Sequence, residues 1–504
     1  MKRKILLILS ISFALLSCND FLEEIPRHQW EMSVAVSTYA GAEQAVNGIY
    51  GASLLTDNLN GKLNLAYCDR SGLTKRDAME YNFTHKTSME WNFTGPWYDL
   101  YDGINSCNIA ISQIPNVPDN AFPTATTKNE LIGEARLLRA WFNSMVLLNY
   151  ACWWAEDASP YGIIYRSEPS NLANVHQPRI TVGDSWKYIF DDIDYAIANM
   201  SDNFATNRRV SKIFAKGLKA RLLLIRGVNQ NIDKYLTDAL DLIDECIAAL
   251  PAAGIAMQAD MAKHFEESWD SKENIFVRYL NEGKRGAYNG AGTTTLNTIW
   301  AYLGTSTSSA TQAEAACGLQ YGLDWMQADP RWYIATGKAK GPASYNSSQE
   351  KWTWTKIYRK GEYWGKQAPV DDKYATYYMR VPELYIMKAE LLARTGASKA
   401  DAIAPINEMR AKRTNPVLDP LPTPANDQEM WDMIFQEYVK ELILENGCEW
   451  FASLRIKKNG VTYMEHMKEG SGYVFDGTIL QWPIPAQEMN NNKMMAGMQN
   501  PGQE

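Results

Sequence analysis

The chain has 504 residues, and 58 acidic residues outnumber 50 lysines and arginines, which gives a formal net charge of −8 at pH 7. Nucleic acids and anionic membrane surfaces are recognised mainly through basic contacts, so this balance argues against either as a general partner. Tryptophan (17) and tyrosine (27) are abundant, whereas phenylalanine numbers only 14. The aromatic excess therefore lies in rings that carry a polar group and suit half-wet surfaces.

The N-terminal residues have the order of an export signal. A basic cluster at residues 2–4 precedes an apolar run from Ile5 to Leu16. This run is shorter than the roughly 20 residues needed to span hydrocarbon, so it is typical of a secretory signal peptide. We therefore predict a signal peptide over residues 1–17.

A cysteine in a lipobox-like setting follows the signal. The sequence LLSC, ending at Cys18, is typical of bacterial lipoproteins. We predict that Cys18 becomes an N-terminus carrying acyl chains such as palmitate, and that residues 18–27 form a lipidated tether. Stable anchoring takes more than one acyl chain, which lipoprotein modification supplies. The alternative is a free cysteine after an ordinary signal peptide.

Helical periodicity begins after the tether. Apolar residues recur at helical spacing over residues 38–55, 97–114 and 128–150. Another amphipathic helix is predicted after Asp184, which is a suitable N-cap. Its apolar face consists of Trp186, Ile189, Phe190, Ile193 and Ile197.

Two further helices are predicted over Ile213–Leu224 and Tyr235–Cys246, with a stop at Pro251. Short connections, and Gly217 as a small residue at a close crossing, predict antiparallel pairs with tetratricopeptide-like packing, although no clean sequence repeat accompanies them.

The helical period fades over residues 257–377, where glycine, serine, threonine, tyrosine and tryptophan dominate. Within this segment, KWTWTKIY alternates as a strand does, which places Trp352 and Trp354 on one face. Helical pattern returns from Val381 to Leu391, over residues 402–413 and from Trp431 to Leu442.

Helices on both sides of an irregular segment predict a mainly α, single domain over residues 28–504. Its scaffold spans about 38–256 and 378–456, and the segment 257–377 is a loop-rich, aromatic insertion. Loops held on a rigid scaffold commonly carry binding function.

Several segments in order resemble the SusD/RagB family of outer-membrane lipoproteins. They run from CNDFLEEIP through WYDLYDGINSCNIAI, GEARLLRAWFNSMVLLNY, TVGDSWKYIFDDIDYAI, RVSKIFAKGLKARLLL, RVPELYIMKAELLAR and INEMRAKR to LQWPIPAQEMNNNKMMAGMQNPGQE. The resemblance implies a SusD-like helical fold with tetratricopeptide-like units, a SusC-like TonB-dependent transporter as partner, and a glycan as the usual ligand, with peptides as a known variant.

Two departures from the family pattern are visible. Pro405 stands where the family has uninterrupted helix, so we expect the helix to begin there with proline in its first turn. The stretch ENGCEWFASLR differs at Glu449 and Ser453 among other positions, which puts local salt bridges in doubt.

Sugar binding requires flat rings beside groups that hydrogen-bond hydroxyls. Two segments offer this mixture, and for every ring in them burial is the competing interpretation. We predict ligand contacts at Tyr67, Asp69, Arg70, Tyr81, Trp91 and Asn92 in the first segment, and at Tyr288, Trp300 and Tyr302 in the insertion. Further insertion rings are Trp325, Trp352, Trp354 and Trp364, whereas Trp97, Tyr98 and Tyr101 are assigned to helix packing.

Catalytic motifs are weak. The five histidines have no HExxH spacing and there is no G-x-S-x-G. The pairs Asp191/Asp192 and Asp371/Asp372 could be proposed as glycosidase carboxylates, but adjacent side chains point apart. Asp184 and Ser185 are better explained by helix capping. The group Glu134, Arg136 and Arg139 is expected to form ion pairs within and between helices.

Metal and disulfide signals are also weak. No D-x-D-x-D-G loop appears, so we predict no metal site and no obligatory cofactor. The cysteines after Cys18 have no regular spacing and are expected to be mostly buried thiols, although one bridge remains open.

The lipobox, the ordered family motifs and the aromatic insertion together lead to the hypothesis of a non-catalytic, surface-exposed outer-membrane lipoprotein that binds an oligosaccharide. The resemblance implies that it acts as a lid on a SusC-like TonB-dependent transporter. The sequence predicts no nucleic-acid partner and membrane attachment through the N-terminal lipid alone. A peptide-binding protein of the same family and a surface glycoside hydrolase are the alternatives.

Overall fold

The computed structural model describes residues 35–52, 63–71, 73, 90–277, 324–340, 350–353, 356, 375–469 and 480–503. The predicted signal peptide, Cys18 and tether lie outside these residues. The fold is mainly α, as predicted. The α helices are α1 (Tyr39–Ala52), α2 (Leu63–Arg70), α3 (Glu90–Gln113), α4 (Thr127–Tyr150), α5 (Val182–Asn199), α6 (Lys212–Gln230), α7 (Asp233–Ala249), α8 (Met261–Glu267), α9 (Asp324–Gln327), α10 (Trp332–Ala335), α11 (Val381–Arg394), α12 (Lys399–Ala411), α13 (Asp427–Leu442), α14 (Cys448–Arg455), α15 (Tyr463–Met467) and α16 (Ala486–Asn491).

Three two-stranded antiparallel sheets accompany the helices: β1 (Asn274–Val277) with β4 (Tyr377–Arg380), β2 (Gly337–Lys340) with β3 (Glu350–Thr353), and β5 (Lys457–Lys458) with β6 (Val461–Thr462). Strand β1 follows the start of the predicted insertion and β4 stands at its end, with Asn274 opposite Arg380. This pairing holds a segment near the start of the insertion beside the segment at its end. Strand β3 confirms the extended structure predicted at Trp352, whereas Trp354 lies outside the described residues.

Helix α5 begins three residues earlier than predicted. Thr181 is its N-cap, and the Thr181 hydroxyl accepts a hydrogen bond from the backbone N–H of Asp184 at 3.0 Å. The prediction of Asp184 as the cap was therefore wrong. Asp184 lies in the first turn, where its carboxylate accepts a hydrogen bond from Thr181 (2.8 Å) and faces the positive end of the helix dipole.

Helix α12 does not begin at Pro405, so that prediction was also wrong. It begins at Lys399, because the Ser398 hydroxyl caps it by accepting from the backbone N–H of Asp401 at 3.2 Å. Pro405 lies inside the helix, where it cannot donate to the carbonyl one turn earlier. Pro405 and Ile406 are both buried, and their packing offsets the missing hydrogen bond.

Consecutive helices pack as pairs, as in α3 with α4, α4 with α5, α6 with α7, and α11 with α12. The α6–α7 connection contains Asn231, which adopts the left-handed conformation (φ 55°) that ends α6. Gly217 lies at a close contact, but with strand β4 rather than at a crossing of two helices: a Cβ there would come within 2.5 Å of the Met379 sulfur.

One large hydrophobic cluster joins both ends of the described chain. It contains Val46 from α1, Leu138 from α4, Leu384 from α11 and Met495 near the C-terminus. This shared core supports the single-domain organisation, which we retain as a proposal.

Five cysteines lie in the described residues, and all are free and buried: Cys68, Cys107, Cys152, Cys246 and Cys448. Burial raises the pKa of the Cys246 thiol to about 12, so it behaves as a small apolar group. Within the same residues, no helix is long and apolar enough to span a membrane.

Candidate ligand-binding face

Two of the predicted ligand contacts are core residues. Tyr67 is 1% exposed, its hydroxyl accepts a hydrogen bond from the Asn149 amide at 2.8 Å, and burial raises its pKa to about 12. The buried Arg70 guanidinium lies 5.0 Å from the ring centroid of Trp482 and 5.4 Å from that of Trp450. No ligand can reach either side chain in this conformation, so we assign both to packing.

The remaining predicted contacts stay predictions. Asp69 lies in α2, and Trp91 and Asn92 lie in the first turn of α3, but the described structure does not extend to their side chains. The residues Tyr81, Tyr288, Trp300 and Tyr302 lie outside the described residues.

Arg331, in the insertion, is attached to the scaffold helix α13. Its guanidinium donates two hydrogen bonds to the Glu437 carboxylate, both at 2.9 Å, and one to Glu441 at 3.2 Å. Asp329 accepts two more, each at 2.9 Å. Arg331 is 1% exposed, so this short segment is fixed on α13 through a fully enclosed cation.

Lys356 is a second attachment point. Its ammonium group lies 2.6 Å from a Glu445 oxygen and donates to the carbonyls of Glu441 (3.2 Å) and Ile443 (2.7 Å). Burial lowers the pKa of Lys356, although the Glu445 carboxylate acts in the opposite direction.

Arg380 and Arg413 complete the set. The Arg380 guanidinium contacts Glu445 (2.7 Å) and Glu273 (2.5 Å), and Arg413 contacts Glu273 (2.6 Å) and Glu441. Burial alone would raise the pKa of Glu273, but the two arginines prevail and lower it to about 2. We call the following eight buried residues the anchor cluster: Glu273, Arg331, Lys356, Arg380, Arg413, Glu437, Glu441 and Glu445.

The anchor cluster was missed by sequence reasoning, although a signal was present. Glu437 and Glu441 are one turn apart, and they lie on either side of Tyr438 in the apolar stripe that runs from Trp431 to Leu442. Carboxylates within an apolar stripe need buried cations as partners, because removing one partner of a buried pair leaves an uncompensated charge.

An exposed ring stands beside the Arg331 anchor. Tyr333 in α10 is 65% exposed, whereas its neighbour Trp332 is 3% exposed and packs into the core. Trp325 is half-buried, with the Lys440 ammonium 5.5 Å from its ring centroid. In the described part of the insertion, Tyr333 is therefore an exposed ring next to residues that are fixed on the scaffold.

Glu449, one of the positions where the sequence departs from the family pattern, lies in the first turn of α14. It is fully buried, and its carboxyl group accepts a hydrogen bond from the Leu444 N–H at 3.2 Å. No basic side chain of the described residues forms an ion pair with it, and burial raises its pKa to about 8. Glu449 is therefore protonated at neutral pH. The Ser453 hydroxyl donates to the Trp450 carbonyl at 2.7 Å.

The acidic pairs considered as glycosidase groups do not form a described site. Asp192 is buried and accepts two hydrogen bonds from Arg139, at 2.7 and 2.8 Å, which confirms the predicted ion pairing between helices. Asp191 is exposed and pairs with Lys187. Asp371 and Asp372 lie outside the described residues.

Histidine and carboxylate side chains do not gather into a metal-binding group within the part of the chain that the structure describes. His264 is enclosed, and its Nδ1 lies 2.8 Å from the Ser271 hydroxyl. Burial lowers the pKa of His264 to about 3, so this imidazole is neutral.

Two family models match successive regions of the chain. The model described as "SusD family" matches residues 254–502, and the model described as "Starch-binding associating with outer membrane" matches residues 20–224. A SusD-like protein of Bacteroides ovatus is 23% identical over 235 residues, which cover 45% of this chain and 40% of that relative's length.

Solved structures show the same fold. A SusD superfamily protein from Bacteroides thetaiotaomicron superposes with a TM-score of 0.66 at 18% identity, covering 90% of this chain and 98% of that one. A laminarin-binding SusD-like protein gives 0.66 at 17% identity (92% and 100% covered). Surface glycan-binding protein A from Bacteroides fluxus gives 0.63 at 16% identity (92% and 100% covered).

Proposed function

This chain belongs to the SusD family, and from that membership we propose that it captures an oligosaccharide at the cell surface for import. The capture is non-catalytic. A lipid on Cys18 attaches the protein to the outer membrane, and a SusC-like TonB-dependent transporter receives the ligand beneath it.

The observation that supports this proposal best is the way the insertion is mounted. Arg331 and Lys356 fix two separate parts of it on the end of α13, and Arg380 fixes the strand at its exit. Polar and aromatic residues attached to so rigid a base suit binding, because less ordering is needed when the ligand arrives. Tyr333, exposed beside the first anchor, is the ring we assign to ligand contact, together with Tyr81, Trp91, Tyr288, Trp300 and Tyr302 as predicted from sequence.

A binding screen tests the glycan proposal. The soluble protein, starting after Cys18, is run in affinity electrophoresis against plant, host and microbial polysaccharides and then titrated by calorimetry with the polymer that retards it. We expect Trp91→Ala and Tyr333→Ala each to weaken that binding at least tenfold. Met494→Ala is the control, because Met494 is 52% exposed and lies in the C-terminal segment.

Other outcomes of the screen are informative. If the wild type binds a glycan and neither Trp91→Ala nor Tyr333→Ala weakens that binding, neither ring is part of the ligand-binding face. Retention of peptides with no glycan bound would contradict the glycan proposal and assign the ligand to the peptide class. Release of shortened sugars from the bound polymer would contradict the non-catalytic role.

The transporter is tested separately. Full-length, lipidated protein is affinity-purified from outer membranes in mild detergent, and a TonB-dependent barrel is expected to co-purify at near-equal stoichiometry. Purification without any barrel would contradict the lid role.

A further inference from the structure

The loop between α4 and α5 carries a depression that the proposed capture face does not include. Its volume is about 200 Å³. The lining residues are Tyr165, Arg166, Ser167, Glu168, Asn174 and Gln177.

A chain of buried polar contacts fixes the floor of this depression. The Asn108 amide donates to the backbone carbonyls of Arg166 (2.9 Å) and Glu168 (3.1 Å). Its oxygen accepts from Arg139 at 2.9 Å, and Arg139 is held in turn by Asp192. Asn108, Arg139 and Asp192 are 1%, 5% and 3% exposed, so solvent does not compete for these contacts.

The rim is fixed as well. The Arg166 guanidinium donates to the carbonyls of Asn174 (3.3 Å) and Val175 (2.8 Å), and the Gln177 amide donates to the Asn174 carbonyl (3.2 Å). Asn492, from the C-terminal segment, donates to the Gln177 carbonyl at 2.8 Å. The depression is thus formed before any ligand arrives.

The lining suits a neutral polyhydroxylated ligand. Arg166 and Glu168 both line the depression, so a guanidinium and a carboxylate contribute charges that cancel. The guanidinium can only donate hydrogen bonds, the carboxylate can only accept them, and the Ser167 hydroxyl can do both. Tyr165 adds a ring held in place by stacking on Tyr188, with the centroids 4.4 Å apart.

We infer that this depression binds one neutral pyranose residue of a glycan, as a second contact apart from the insertion. The inference rests on the proposed glycan-binding function. A single sugar residue held by a few hydrogen bonds binds weakly, with a Kd on the order of millimolar. Its value lies in avidity, because two linked contacts on one polymer bind more tightly than either contact alone.

Saturation-transfer NMR on the soluble protein tests the inference. The sugar probes are glucose, galactose, mannose and xylose at millimolar concentration. Glycine and alanine serve as zwitterionic probes. At least one sugar is expected to give a signal that falls at least threefold in both Glu168→Gln and Ser167→Ala. Both substituted side chains are exposed and form no described hydrogen bond, so neither change disturbs the fold. Glu156→Gln, an exposed glutamate of the same loop that does not line the depression, is expected to leave the signal unchanged.

Three results would overturn the inference. Sugar signals unaffected by either loop variant place the sugar elsewhere. Signals from glycine and alanine, but from no sugar, assign the depression to zwitterions. If no monosaccharide gives a signal but the wild type still binds its polysaccharide in electrophoresis, the second contact is excluded and the proposed function stands. If the wild type binds no polysaccharide either, the proposed function itself has failed.

Discussion

Arg331 donates two parallel hydrogen bonds to Glu437, both at 2.9 Å, although 106 positions separate these residues along the chain. Such a bidentate pair fixes both the distance and the orientation of the two segments. Because both side chains are almost fully enclosed, the pair joins the insertion to α13 without competition from water.

Arg331→Met is expected to lower the free energy of unfolding by up to about 3–5 kcal/mol, because it removes the buried cation that Glu437 and Asp329 share. Glu437 would then keep only Arg410 (2.5 Å), and Asp329 only the more distant Lys440 (3.7 Å). Urea denaturation followed by circular dichroism measures this change. Lys234→Met is the control, because Lys234 pairs with Asp238 at an exposed position and its loss should change little. An Arg331 variant as stable as the wild type would show that the pair does not hold the insertion in place.

Glu449→Gln is expected to stabilise the protein increasingly as pH rises from 5 to 8. Burial raises the pKa of Glu449 from its ordinary value of 4.5 to about 8. Between these values the unfolded chain has lost a proton that the folded chain retains, so the stability of the wild type falls with pH by up to roughly 1.4 kcal/mol per pH unit. Glutamine keeps the acceptor for the Leu444 N–H but does not titrate.

Urea titrations of wild type and Glu449→Gln at several pH values measure this difference, and a difference independent of pH would contradict the prediction.

Glu390→Gln is expected to show the opposite dependence of stability on pH. Burial alone would raise the pKa of Glu390, but Arg455 and Arg394 lower it to about 2. Its pairing therefore stabilises the fold above pH 4.5, and that contribution is lost as pH falls towards 2. Glu390→Gln should be less stable than wild type at pH 7, with the gap narrowing in acid.

Gly103→Ala is expected to destabilise the α3–α4 contact by about 1–3 kcal/mol, the usual range for overpacking. A Cβ at Gly103 would lie 2.5 Å from the Phe142 ring, which is fully buried. Gly48→Ala is the matched control in α1, where a Cβ meets nothing within 4 Å. There alanine should stabilise the helix by up to about 1 kcal/mol. Thermal unfolding compares the two, and equal shifts would contradict the proposed close contact.

Cys18→Ser is expected to move the exported protein from the membrane fraction to the soluble fraction. Serine cannot form the thioether that carries the lipid, and acyl chains supply most of the affinity for the bilayer. Fractionation of cells, with metabolic labelling by a fatty acid, measures both effects. A serine variant that remains in the membrane fraction would show that Cys18 is not the anchor.

Helix positions could be predicted from sequence because apolar spacing reports directly on a buried face. The stripe from Trp186 to Ile197 lies on α5, and the segment 128–150 coincides almost fully with α4. Helix starts were less predictable. Helix α5 is capped by Thr181, not by Asp184 as the pattern favoured. Helix α12 is capped by Ser398 and does not begin at Pro405.

The candidate face was harder to predict, since ring burial depends on contacts distant in sequence. Tyr67 and Arg70 have the composition of a sugar site, but Asn149 and Trp482 enclose them. Likewise, no local pattern shows that Arg331 and Glu437 meet. Only the charged positions on the apolar stripe of α13 gave any sign of the anchor cluster.

The anchor cluster also bears on how such a protein diversifies. Its contacts start from a few positions, Arg331, Lys356 and Arg380. They end on the last turns of α13, at Glu445 just after it, or at Glu273. We therefore expect substitutions between these positions to leave the attachment unchanged. On the proposed binding role, ligand preference can then change by substitution within the insertion, while the enclosed charges preserve the stability of the scaffold.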